Sequence, residues 1–218
     1  MSAWCKALSL LAAIAVPAFA ANDPGAALAQ NGNAHGAPAC SACHGMRGEG
    51  NPAAGFPRLA GLGQAYLERQ LGAFADGQRQ NAVMAPIAKA LQPDERQAVA
   101  RYYAALPFPE SFTAPSNPSA AGVMLAERGR WENGPALPAC VQCHGPNGIG
   151  VGESFPPLAG QSATYIASQL QAWQQGTRPA GPLGLMHAIA TRLTSADIDA
   201  VAQYFGAMKA GAVSKDRS

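Results

Sequence analysis

Four of the five cysteines in this 218-residue chain stand in one repeated setting, Cys40-Ser41-Ala42-Cys43-His44 and Cys140-Val141-Gln142-Cys143-His144, with the copies 100 residues apart. Cysteines three residues apart lie on one face of a helical turn, so both thiols can reach a single planar partner. C-x-x-C-H is the attachment signature of c-type haem. Its sulfurs form thioethers with the two vinyl groups of the porphyrin, and the histidine that follows ligates the iron as proximal ligand. Four cysteines in an exported chain could also form two disulfides, and a C-x-x-C pair can be a redox dithiol or half a zinc site. Each of those readings leaves the histidine after the second cysteine unexplained, twice. Two covalently bound haem c groups are therefore expected, one on Cys40 and Cys43 with His44, the other on Cys140 and Cys143 with His144.

A proximal histidine leaves the sixth iron position to be filled. Methionine sulfur there raises the reduction potential and blocks external ligands, which suits electron transfer; a vacant position suits peroxide or oxygen chemistry. Beyond residue 20 the methionines are Met46, Met84, Met124, Met186 and Met208. A methionine without context is usually core filler. Met84 and Met186, however, stand at matching places, 40 and 42 residues beyond the two histidines, within Met84-Ala85-Pro86-Ile87-Ala88-Lys89-Ala90-Leu91 and Met186-His187-Ala188-Ile189-Ala190-Thr191-Arg192-Leu193. They are the predicted distal ligands. Met46 follows its motif too closely to reach the far side of the ring. His35 and His187 could give bis-histidine ligation and a lower potential, but neither has a mate in the other copy, and ordinary solvated or hydrogen-bonded roles are expected for them.

The elements that must position these residues also come in pairs. Each motif is followed by a glycine-rich turn, Gly45 to Gly50 and Gly145 to Gly150, and then by Phe56-Pro57-Arg58-Leu59-Ala60-Gly61 or Phe155-Pro156-Pro157-Leu158-Ala159-Gly160. Helices are predicted next, with Leu67, Leu71 and Phe74 in one and Ile166, Leu170 and Trp173 in the other at i, i+4, i+7. They end at Gly77-Gln78-Arg79 and Gly176-Thr177-Arg178. A last helix is expected over 93–106, with Val99, Tyr102 and Leu106 facing inward, and over 195–208, with Ile198, Val201 and Phe205. Pro93 suits a first helical position, and Thr194 with Asp197 suits a capping box. The turn-rich stretch 109–119 reads as a linker, dividing the chain into an N-terminal domain over 21–108 and a C-terminal domain over 120–218.

Composition agrees. Apolar residues make up 48%, but 48 of the 218 residues are alanine, while aromatics are 7% and charged residues 13%, about half the usual charged fraction. Such thin cores are expected if a flat macrocycle fills each domain. The formal net charge of +2 comes from 15 basic and 13 acidic residues spread singly, which offers no basic stripe for nucleic acid. Four haem propionates would make the holoprotein more acidic than its sequence. Lys6, the apolar run from Ala7 to Val16 and Ala18-Phe19-Ala20 read as a signal peptide over 1–20. Ten apolar residues are too few for a membrane anchor.

Tandem C-x-x-C-H domains with F-P-x-L-A-G, a G-x-R turn and M-x-x-I-A-x-x-L before a final helix resemble the dihaem cytochrome c4 family over nearly all of the mature chain. The resemblance implies an all-α fold of two class I cytochrome c domains about a pseudo-twofold axis, with the haems at the domain interface. It also implies that the carbonyls of Pro57 and Pro156 accept from the other ring nitrogen of each proximal histidine. Members often carry two adjacent methionines at the distal position, where this chain has Val83-Met84 and Leu185-Met186.

Three functions are compatible with these motifs. The first is a periplasmic electron carrier of a respiratory chain, delivering to a terminal oxidase, as the resemblance implies. The second is the haem subunit of a periplasmic dehydrogenase complex, such as flavocytochrome c sulfide dehydrogenase. The third, an enzyme such as a dihaem peroxidase or thiosulfate dehydrogenase, would need a haem able to open its sixth position, which the matched methionines disfavour. The expected partners are redox proteins rather than substrates, and the expected state is a monomer, with association at the membrane surface left open.

Overall fold

The computed structural model describes residues 23–109 and 111–211. The signal peptide expected over 1–20 lies outside the described residues.

Some of the helices begin where the sequence supplies a cap. The Asp23 carboxylate accepts from Gly25 N and Ala26 N at 2.7 and 3.3 Å and starts α1 (Pro24–Asn31), filling donors that the first turn leaves open. The first haem motif forms the single turn α2 (Ser41–His44). Then come α3 (Gln64–Ala75), α4 (Met84–Lys89) and α5 (Pro93–Ala105). Glu95 reaches back to Gln92 N at 2.8 Å at the start of α5. Past β1 (Phe112–Thr113) the plan repeats. Helix α6 (Ala120–Val123) runs into a wide π-type turn over Met124–Arg128, followed by α7 (Cys140–His144), α8 (Ala163–Gln174), α9 (Leu185–Ala190) and α10 (Ser195–Gly206). The expected capping box is formed: Asp197 N donates to Thr194 Oγ1 at 3.1 Å and Thr194 N to Asp197 Oδ2 at 2.9 Å. β2 (Lys209–Ala210) pairs antiparallel with β1.

The two sets of helices are assembled alike. In the first, α5 lies against α1 and α3, and α3 against α4; in the second, α10 lies against α6 and α8, and α8 against α9. The expected apolar faces point inward, with Val99, Tyr102 and Leu106 buried on one side and Ile198, Val201 and Phe205 on the other. Leu67, Phe74, Ile166 and Leu170 are buried as well, and Leu71 and Trp173 partly so. Both final helices stop slightly sooner than the sequence suggests, at Ala105 and Gly206, although Leu106 and Met208 beyond them stay buried. Residues 109–119 are more than a solvated tether. Phe112 is buried in the C-terminal core, and a side chain on Gly160 would meet its ring at 2.7 Å; Phe108 covers Gly61 in the same way.

Each helix pair crosses at a glycine that the sequence pattern did not single out. A Cβ on Gly25 would sit 2.2 Å from the Ala98 carbonyl oxygen on α5, and one on Gly122 would sit 2.8 Å from that of Ala200 on α10. Backbone cannot swing aside as a side chain can, so overpacking here moves a helix. Gly25→Ala is expected to destabilise the holoprotein by about 1–3 kcal/mol, read as a lower denaturant midpoint at unchanged slope. An unaltered midpoint would show that α1 shifts freely.

Candidate functional site

The single turns α2 and α7 present the two haem motifs, and the glycine-rich loops behind them aim the histidines. Gly45 and Gly145 adopt φ of +83° and +78°, which glycine takes without strain, and the chain reverses directly after each histidine. Gly50 N then donates to His44 O, and Gly150 N to His144 O, both at 2.7 Å. Next, Gly48 O accepts from Leu59 N and Ala60 N, and Gly148 O from Leu158 N and Ala159 N, at 2.8 and 3.0 Å in both copies. Gly48 and Gly148 lie so close to the rings of Tyr103 and Phe205 that a Cβ would stand 2.8 and 2.6 Å from them. These contacts dock each F-P-x-L-A-G block against its motif.

The docking brings proline carbonyls to the histidines. His44 Nδ1 lies 2.8 Å from Pro57 O, and His144 Nδ1 lies 2.8 Å from Pro156 O. A carbonyl can only accept, so each Nδ1 carries the proton and each Nε2 keeps its lone pair. Both rings are 6% exposed, and burial lowers their pKa values, against a smaller upward pull from the carbonyls. Neutral rings of fixed tautomer, with Nε2 unprotonated, are what an iron ligand requires. Phe56 and Phe155 stand edge-on to the two rings, with centroids 6.0 and 6.2 Å away.

The four motif cysteines are all free. Burial raises the Cys40 thiol and pushes Cys140 up to about 12, so these sulfurs would be inert thiols unless covalently engaged. Met84 opens α4, where its N–H donates to Asn81 Oδ1 at 2.8 Å, and Met186 is the second residue of α9. Both are half-buried, and Met186 lies against the C-terminal core. The remaining methionines are placed otherwise: Met46 is 68% exposed in the turn after His44, Met124 is 37% exposed at the start of the π-type turn, and Met208 is core. His35 is exposed, and His187 Nδ1 bonds the Trp173 carbonyl at 3.0 Å. Among the described residues no three His, Cys, Asp or Glu side chains converge as a metal site. Paired thiols with a neutral imidazole beside them suit a c-type haem, which takes its fourfold equatorial coordination from the porphyrin and needs only axial donors from protein.

Between the two sets of helices lies a seam whose importance the sequence showed only as a repeated G-x-R turn. Arg79 and Arg178 are both buried there. Arg79 stacks on Phe74 and donates to Gln70 Oε1 at 2.8 Å, to Tyr165 OH at 2.9 Å and to Gln169 Oε1. Arg178 stacks on Trp173 and donates to Gln169 Oε1, Tyr66 OH and Gln70 Oε1 at 3.1, 3.0 and 3.2 Å. Each arginine thus crosses to the other set's tyrosine and glutamine. Burial alone would raise the Tyr165 phenol, but the two guanidiniums outweigh it and hold the group below its ordinary value. Gln80 N adds a bond to Thr177 O at 2.8 Å.

Comparison with known proteins matches this architecture. The cytochrome c family profile matches twice, over residues 23–106 and 131–209. The thiosulfate dehydrogenase electron acceptor of Thiomonas intermedia is 53% identical over 173 residues, covering 78% of this chain and 79% of that protein. Cytochrome c4 of Pseudomonas aeruginosa is 37% identical over 189 residues, covering 86% of this chain and 89% of its own. Among solved structures, the thiosulfate dehydrogenase from Marichromatium purpuratum superposes with a TM-score of 0.78 at 47% identity, covering 85% of this chain but 40% of that longer one. The chain accordingly belongs to the cytochrome c family, as a tandem, cytochrome c4-like electron carrier with a covalent haem on each of its two C-x-x-C-H motifs.

Proposed function

We propose that this protein accepts electrons from a thiosulfate dehydrogenase in the periplasm and passes them on towards a terminal oxidase. The observation that carries the donor is the 53% identity, spread over about four fifths of both chains, to a protein named for accepting electrons from that enzyme, against 37% to a cytochrome c4. Among the described residues no helix is long and apolar enough to cross a membrane.

In this reading the mature chain is an N-terminal domain over 21–108, a connector over 109–119 and a C-terminal domain over 120–218. His44 and Met84 ligate one iron, His144 and Met186 the other, and Cys40, Cys43, Cys140 and Cys143 are the thioether donors. Haem c supplies a one-electron ferric–ferrous couple. The protein's part is to hold that couple rigidly. Pro57 and Pro156 keep the imidazoles in one tautomer and orientation, supported by a hydrogen bond at 2.8 Å on each side, so little reorganises when charge changes. The arginine clasp at the seam holds the two halves at constant separation, which electron passage between them needs.

The test mixes the oxidised holoprotein with a purified thiosulfate dehydrogenase and follows haem absorbance after thiosulfate is added. Two haems reduced per chain within the enzyme's turnover time, and none without the enzyme, are expected. Reduction by thiosulfate alone, or none with the enzyme present, overturns the donor assignment.

A further inference from the structure

The two haem motifs are backed by different aromatic rings at one equivalent place. Tyr103 in α5 and Phe205 in α10 each follow a buried tyrosine, Tyr102 or Tyr204. Each gives its backbone carbonyl to the glycine that closes the F-P-x-L-A-G block of its own half, Tyr103 O to Gly61 N at 2.9 Å and Phe205 O to Gly160 N at 3.0 Å. Each ring also lies against the glycine loop that follows its own motif, 2.8 and 2.6 Å from where a Cβ on Gly48 or Gly148 would stand. The two rings are therefore fixed alike, one beside each haem motif, and they differ by a single hydroxyl.

That hydroxyl lies inside the first half. Tyr103 is 3% exposed, and its oxygen is buried with no hydrogen-bond partner of good geometry among the described residues. A buried hydroxyl costs free energy until something accepts from it. Cys40 packs against the same cluster of buried residues as Tyr103. Of the ionisable groups around the phenol, Cys40 acts on it most strongly, ahead of Tyr102 and Glu49. The phenol in turn draws the Cys40 thiol down, against the larger rise from burial. Burial holds the phenol itself above its ordinary value, so it keeps its proton at neutral pH. In the second half the equivalent sulfur has a different neighbour: Cys140 Sγ donates to Leu125 O at 3.4 Å, and Phe205 has no hydroxyl to offer it.

A thiol both donates and accepts, but a thioether sulfur keeps only its lone pairs. Once Cys40 carries haem, the Tyr103 hydroxyl can engage it only as donor. We infer that Tyr103 is a positioning residue whose hydroxyl donates to the Cys40 sulfur of the attached haem and so raises the reduction potential of that haem, an influence that Phe205 does not give the other. This rests on the reading of Cys40 as a thioether donor. Oxidation of the iron adds positive charge to a buried site, and an O–H dipole with its hydrogen turned towards the attached ring opposes that charge in low dielectric. Hydrogen bonding just outside the iron ligands is one of the levers by which a protein sets a haem potential.

The test measures the potential of each haem in the holoprotein and in Tyr103→Phe, which gives the first half the ring of the second, and assigns the haems through their contact-shifted methyl NMR signals. Tyr103→Phe is expected to shift the one-electron equilibrium between the haems about threefold away from the N-terminal one, about 28 mV for one electron, with the C-terminal potential unchanged. The carbon–sulfur stretch of the first haem should move with it in the resonance Raman difference spectrum, a signature that a purely structural role would leave in place. An unmoved N-terminal potential overturns the inference, as does an equal shift of both haems or an unaltered carbon–sulfur band. Failure of the thioether reading is visible separately: acidified acetone would then extract the haem of the first half from the wild-type protein.

Discussion

Met84→Ala should lower the potential of the N-terminal haem by on the order of 100 mV or more, a modest part of the roughly 0.8 V that axial ligands span, and should let that haem bind carbon monoxide when reduced. Thioether sulfur stabilises ferrous iron and blocks the sixth position; alanine does neither. The placement of the other methionines leaves Met84 without a substitute in its half. Met46 is 68% exposed in the turn just after His44, and Met124, Met186 and Met208 belong to the C-terminal half. Met186→Ala should do the same to the second haem and leave the first unaffected. Potentiometric titration with a carbon monoxide difference spectrum reads both effects. A Met84→Ala protein with two native potentials and no carbon monoxide binding excludes Met84 as ligand.

The other large effect comes from keeping haem out of the first half. Cys40→Ala, Cys43→Ala and His44→Ala together should leave the first set of helices, α1 to α5, unfolded while the second set keeps its haem. The N-terminal clusters of buried residues hold Ala29, Ala37, Ala60, Ala98 and Ala100 alongside Leu28, Leu62, Leu67, Leu91, Leu106, Val99 and two tyrosines. A domain of this size is marginal even with a full core, and this one is short of bulk where the macrocycle would lie. Circular dichroism should show loss of the helical signal of the first half, haem content should fall to one per chain, and protease should cut preferentially before the connector. A variant that keeps full helicity and a single cooperative transition would mean that the apo core suffices.

What could be read without coordinates was what is encoded locally. Covalent attachment by two cysteines and iron ligation by the histidine after them fall within five residues, so the motif lies in one stretch of chain. Helix faces repeat every three to four residues, which is why Leu67, Val99, Ile198 and Phe205 could be assigned inward. The Thr194–Asp197 cap, too, spans only four consecutive residues. The repeat made Met84 and Met186 stand out from methionines of the same chemistry, because a shared plan places equivalent residues at equivalent distances.

Contacts between distant segments carried no such mark. Arg79 and Arg178 each lie in a turn that reads as surface, yet each is buried because its partners, Tyr165 and Gln169 or Tyr66 and Gln70, come from the other half of the chain. Nothing local marks Gly25 and Gly122, yet the carbonyls of Ala98 and Ala200 lie where a Cβ on them would go. Phe112 sat in a stretch of linker composition, and its burial follows from pairing with residues 209–210 and from the bare face of Gly160. Tyr103 and Phe205 differ by one hydroxyl, and no local pattern shows that it is buried beside Cys40. By itself the sequence determined the chemistry of this protein, a covalent haem on each of two C-x-x-C-H motifs, since bonds to a cofactor demand particular atoms at particular spacings. Only the tertiary structure decided how the two haem sites are joined and where they differ, because burial of a charge or a hydroxyl depends on what the rest of the chain lays over it.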